Sequence, residues 1–117
     1  MSRLKQLDGL KMLSSTDRSV AIAFKQRIQD VVPVVSLRIY GSRARGDADA
    51  DSDLDVFIEL ENITPSLRRQ ISEIAWEVGL EIDRVISTLV ATRAQIAHGA
   101  IGANPIMRHV AMDGVLL

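Results

Sequence analysis

The stretch Leu54–Leu60 constrains this chain more than any other. Leu54, Val56, Ile58 and Leu60 alternate on one face of a strand, while Asp53, Asp55, Phe57 and Glu59 take the other. A strand this apolar belongs inside a sheet rather than at a solvated edge, yet it opens on two carboxylates. Side chains two apart on a strand point the same way, about 7 Å apart at the backbone, so these like charges repel. Such a pair is tolerated if water reaches it and stabilised if it binds cations. Hard cations such as Mg²⁺ take one or two carboxylates together with substrate phosphates. Two metals about 3.5–4 Å apart suit in-line phosphoryl transfer.

The acids before the strand read differently. Gly46–Asp55, GDADADSDLD, places Asp47, Asp49 and Asp51 in a turn, where a solvated acidic edge accounts for them. A calcium loop of the EF-hand type needs Gly at its sixth position and Glu at its twelfth. Starting at Asp47, Asp49 or Asp51 puts Ser52, Leu54 or Val56 at the sixth and Ile58, Leu60 or Asn62 at the twelfth, so every register fails.

Upstream, Val34–Tyr40 is rich in β-branched and aromatic residues and stops at Gly41, as a strand does. Gly41–Gly46 suits a tight turn into a short helical piece. Glycine after a strand lets backbone amides approach a ligand, and a serine opening a helix offers a hydroxyl and amides to a phosphate. By themselves Gly41 and Ser42 also fit an ordinary turn. Arg43 and Arg45 carry guanidinium groups that match phosphate geometry. Pairing with Asp47, Asp49 or Asp51 is the alternative use for each.

The remaining elements follow from periodicity. A helix is expected over about Asp17–Asp30, capped by Thr16 or Asp17, with Val20, Phe24, Ile28 and Val31 on its apolar stripe and Pro33 beyond its end. Thr64-Pro65 starts a helix with Leu67, Ile71, Ile74, Ala75 and Val78 inward, ending at Gly79. Trp76 is placed at the core edge. A third strand is expected over Leu80–Ser87, with Glu81 and Asp83 on one face. Thr88–His98 reads as helix or loop, and Asn104-Pro105 starts a short helix ending at Gly114. Strands interleaved with helices imply an α/β or α+β sandwich in a single domain over residues 1–117.

Composition excludes several functions. With 14 Lys plus Arg against 15 Asp plus Glu the chain is near neutral and has no broad cationic face for nucleic acid. Aromatics are 3 %, too few for a base-stacking platform. There is no cysteine, hence no disulfide or thiolate metal site. Ser2–Ser19 is too polar for a signal peptide, and no apolar run spans a membrane. The expectation is a small soluble cytoplasmic domain. His98 and His109 have no ligand partner at useful spacing.

Gly41-Ser42, ten residues, then Asp53-Leu54-Asp55 resembles the GS-x10-D-x-D signature of the DNA polymerase β-like nucleotidyltransferases. The run GSRARGDADADSDLDVFIEL and the ending NPIMRHVAMDGVLL are similar to the minimal nucleotidyltransferases of HEPN/MNT toxin–antitoxin pairs. The resemblance implies the nucleotidyltransferase fold, a short mixed sheet with helices packed largely on one face. It implies that Gly41 and Ser42, with Arg43 and Arg45, hold the triphosphate, and that Asp53 and Asp55 ligate Mg²⁺, in a two-metal site. A third carboxylate on a neighbouring strand would be Asp83, with Glu81 the alternative. The activity implied is Mg²⁺-dependent transfer of AMP from ATP to a hydroxyl. Since little of the chain is left to bind a second substrate, the acceptor is a docking protein, by resemblance a HEPN-domain toxin. The alternatives are an antitoxin that neutralises by contact alone, and a transferase acting on a small molecule of the aminoglycoside type. Homo-oligomerisation is compatible with either.

Overall fold

The computed structural model describes residues 12–117. The N-terminal part of the segment expected not to be a signal peptide lies outside the described residues. The elements run α1 (Ser15–Gln29), β1 (Ser36–Tyr40), α2 (Gly41–Arg45), β2 (Leu54–Leu60), α3 (Pro65–Ile82), β3 (Ile86–Thr92), α4 (Arg93–His98), α5 (Ala100–Ala103), α6 (Ile106–Asp113) and β4 (Val115–Leu116). The sheet order is β3-β2-β1-β4. β1 is antiparallel to β2 and β4, and β2 is parallel to β3, so the sheet is mixed. No helix among the described residues is long and apolar enough to cross a membrane.

The alternation along β2 decides the layers. Leu54, Val56, Ile58 and Leu60, with Leu37 and Ile39 of β1 and Ile86 and Val90 of β3, form the main core with Ala21, Phe24 and Ile28 of α1 and Ile71, Ala75 and Val78 of α3. Fully burying each large aliphatic side chain stabilises by about 1.5–3 kcal/mol. The two long helices therefore share one face. The opposite face carries a smaller cluster of Tyr40, Phe57, Ala91 and Val110, with Ile96, Ile106 and Met107 packed against it. It belongs to the short helices α4 to α6. Asp55 lies on this second face, in register with Tyr40 on β1 and Ser87 on β3.

Several boundaries differ from expectation, and β1 begins at Ser36 rather than Val34. The cap of α1 is Ser14, whose hydroxyl accepts from the Asp17 amide at 3.0 Å. That frees the Asp17 side chain, which is buried. Helix α3 does not stop at Gly79 but continues through Leu80, Glu81 and Ile82 to Asp83. Asp83 takes the left-handed conformation, φ 54°, that ends the helix, a role polar Asp tolerates better than most residues. Gly79 is required for a different reason: a Cβ there would meet the Arg84 carbonyl oxygen at 2.6 Å. The third strand consequently begins at Ile86 rather than Leu80 and takes in part of the ambiguous stretch. Trp76 is exposed rather than at the core edge.

Candidate active site

The site forms where β1 ends and β2 begins. Gly41 leaves β1 at φ +76°, a conformation that disfavours any side chain. A Cβ on Gly41 would lie 2.5 Å from Asp55 Oδ2. Gly41 is therefore fixed twice, by its backbone conformation and by the carboxylate against its Cα. Tyr40 caps α2 without a side-chain hydrogen bond, which leaves the first amides of that short helix for solvent or ligand. Ser42, half-buried, sits in this turn. Gly46, also at φ +76°, closes it.

Asp53 is exposed and Asp55 half-buried. Burial raises the Asp55 pKa above its ordinary 3.8, the neighbouring Asp53 charge raises it further, and Arg45 opposes them. Burial, with help from the Asp55 charge, likewise pushes the Tyr40 phenol above 10.0. The two carboxylates thus form a negative pair that a cation would relieve. Asp53 and Asp55 fit Mg²⁺ in donor chemistry: two hard oxygen donors at the entry to β2, one of them against a glycine.

Arg45 is on the exposed side of α2. It donates to Asp47 at 3.3 Å and to Asp113 of α6 at 3.0 Å, and these carboxylates raise its already high pKa. Exposed pairs of this kind contribute little and exchange readily, so Arg45 is available to phosphate. Arg43 is not. It is buried, and its guanidinium is consumed: Nε donates to the Ser52 carbonyl at 2.8 Å, Nη2 to the carbonyls of Asp49 and Ala50 at 3.3 and 3.2 Å, and Nη1 to the Asp17 carboxylate at 3.2 Å. The expectation of phosphate contact gives way to a structural role. Arg43 is the hub around which loop 47–53 is wound, setting where Asp53 enters β2. Asp17 also accepts from Arg84. One carboxylate at the start of α1 thereby ties α2, the acidic loop and the α3–β3 connection together.

Within the loop, the Asp49 side chain accepts from the Asp51 amide at 3.0 Å and from the Ser52 hydroxyl at 3.2 Å. Asp49 is a turn-former rather than a ligand, as its place in the sequence indicates.

Neither third-carboxylate candidate joins the pair. Asp83 is the cap of α3, off the sheet, because α3 runs longer than its glycine indicates. Glu81 is on α3 and takes part in an exposed ion pair with Arg27. The β3 residues on the Asp55 face are Ser87, Leu89 and Ala91, none of them acidic. Among the described residues no three His, Cys, Asp or Glu side chains are grouped as a metal cluster. Sequence reasoning missed Asp17 and Arg84; the position of Asp17 three residues after a capping serine was the only available signal.

A family model described as a nucleotidyltransferase domain matches residues 21–99, more than half of the chain, including Gly41, Ser42, Asp53 and Asp55. No curated protein matches the chain. The chain belongs to the nucleotidyltransferase domain family.

Proposed function

We propose that this domain transfers AMP from ATP, with Mg²⁺, to a hydroxyl of a partner protein, and that it serves as the antitoxin to a HEPN-domain toxin. The observation that carries the nucleotide part is the half-buried Asp55 beside Asp53, pressed against a glycine with no room for a Cβ. In this reading Asp53 and Asp55 hold Mg²⁺. When bound, the metal supplies positive charge against the triphosphate oxygens. Gly41 and Ser42 let the phosphates approach the backbone, and Arg45 leaves Asp47 and Asp113 to neutralise them. The acceptor hydroxyl oxygen bonds to the α-phosphorus as the bond from that phosphorus to the bridging oxygen breaks; pyrophosphate leaves with the electron pair, and the hydroxyl proton passes to water. The second face of the sheet is filled by α4 to α6, so the acceptor approaches from outside at the exposed Asp53 end.

A second reading has its own support. With Ser87 and Leu89 where a third carboxylate would stand, contact without chemistry is a coherent way to neutralise a toxin. One experiment separates them. The chain is incubated with ATP, Mg²⁺ and a HEPN-domain toxin, and the toxin is weighed by mass spectrometry. Addition of AMP, absent with Asp53→Asn/Asp55→Asn, is the expected result. Unmodified toxin that is nevertheless inhibited, equally by the double variant, supports contact instead.

A further inference from the structure

Asp55 is the half-buried member of the carboxylate pair, and both of its neighbours across the sheet are neutral. On β1 its register partner is Tyr40, whose phenol is pushed above 10.0 by burial and by Asp55 itself, so it keeps its proton at neutral pH. On β3 the partner is Ser87. Residues paired across neighbouring strands project to the same face, about 4.8 Å apart. The half-buried Ser87 side chain therefore stands beside that of Asp55.

Farther along this face come Phe57 of β2 and Leu89 of β3, both apolar. Other carboxylates around the site are engaged. Asp47 and Asp113 accept from Arg45, and Glu59 accepts from Ser36 at 3.1 Å and from Arg93 at 3.2 Å. Among the described residues no third acid is grouped with Asp53 and Asp55.

Two cations about 3.5–4 Å apart repel each other and need several anionic oxygens of the protein to hold them there. Mg²⁺ gives up its waters reluctantly, and takes one or two carboxylates together with substrate phosphates. Asp53 and Asp55 match the two charges of one such ion. A second would have to draw on position 87, where the side chain is an uncharged hydroxyl.

We propose that the site takes a single divalent cation, and that Ser87 is the residue that limits it to one. This rests on the metal–nucleotide reading of the Asp53–Asp55 pair. Both carboxylates then serve the triphosphate, and the acceptor hydroxyl has no cation of its own. Ser87→Asp sets a third carboxylate in register with Asp55 on the same face, and so supplies what a second ion lacks.

The test counts Mn²⁺, which shares the oxygen chemistry of Mg²⁺, by electron paramagnetic resonance. The full chain is titrated in the presence of one equivalent of α,β-methylene ATP, which cannot be cleaved at the α-phosphorus. The wild type is expected to hold one Mn²⁺ per chain with an uncoupled spectrum. Ser87→Asp, its fold checked by circular dichroism, is expected to hold two, with the spin coupling of adjacent ions. Ser87→Asn, matched in size to Asp but neutral, is expected to hold one. Two ions on the wild type, or one on a folded Ser87→Asp, overturn the proposal and leave the carboxylate pair standing as a metal site. A wild type that leaves the spectrum of the Mn²⁺–analogue complex unchanged removes the metal site, and the proposal with it. If Ser87→Asp loses its fold, the wild-type count decides alone.

Discussion

Replacing Asp17 by Asn tests whether the loop carrying the carboxylate pair is held by a buried charge. Asp17 and Arg43 are 3 % and 7 % exposed. Removing one partner of a buried ion pair costs about 3–5 kcal/mol because the other charge is left uncompensated. Here Arg43 keeps its three carbonyl acceptors, which argues for the lower end. Arg84 is part-exposed and can turn to water, adding less than about 1 kcal/mol. A loss near 3 kcal/mol follows, a large fraction of the roughly 5–15 kcal/mol typical of a folded domain. With an m-value of about 2 kcal/mol/M the urea midpoint falls by about 1.5 M. Urea melts of wild type, Asp17→Asn, Arg43→Met and the double variant measure it. The cycle is expected to give a coupling above about 1 kcal/mol, and the Asp49–Ser52 amides to exchange faster in both single variants. A loss below about 1 kcal/mol at unchanged m would refute the reasoning, since Arg43 would then not need its carboxylate.

Gly41→Ala is expected to destabilise by about 1–2 kcal/mol from the left-handed backbone alone, and to abolish nucleotide binding by displacing Asp55; thermal melts and calorimetry read the two effects separately. For Asp55 the raised pKa means the fold penalises the carboxylate. The penalty is absent below 3.8, where both states are protonated, and fully present above the folded value. Asp55→Asn should therefore raise Tm at neutral pH and lose that gain on acidification; an Asn variant less stable at neutral pH contradicts the burial argument. Arg45→Gln should leave stability within about 0.5 kcal/mol, its ion pairs being exposed, while weakening ATP binding about tenfold, one charge-assisted phosphate contact. Equal binding by variant and wild type would remove Arg45 from the site.

How far the sequence discloses such a molecule depends on the reach of the interactions involved. β2 was legible to the residue, because its alternation is a local pattern that the sheet merely completes. So was the Thr64-Pro65 start of α3, where the Thr64 hydroxyl accepts from Leu67 at 3.0 Å. The end of α3 was not. Gly79 looks like a terminator, but its lack of a Cβ serves the Arg84 carbonyl from the next connection, a contact periodicity does not see. That one misplacement moved the third strand by six residues and put Asp83 on a sheet face it does not occupy. Arg43 shows the same limit. Its neighbours in sequence offered three aspartates, and it took three backbone carbonyls and the distant Asp17 instead. Gly41 and Asp55, by contrast, were both singled out in sequence for phosphate and metal chemistry, and the fold presses them together.

The central claim is that the Asp53–Asp55 pair is a metal–nucleotide site. The most direct measurement is calorimetric titration of ATP into the full chain, with and without Mg²⁺, for wild type and Asp53→Asn/Asp55→Asn. The account predicts binding that requires Mg²⁺ and is lost in the double variant while its fold is retained. Metal-dependent binding that survives the double variant, or none to the wild type, would contradict it.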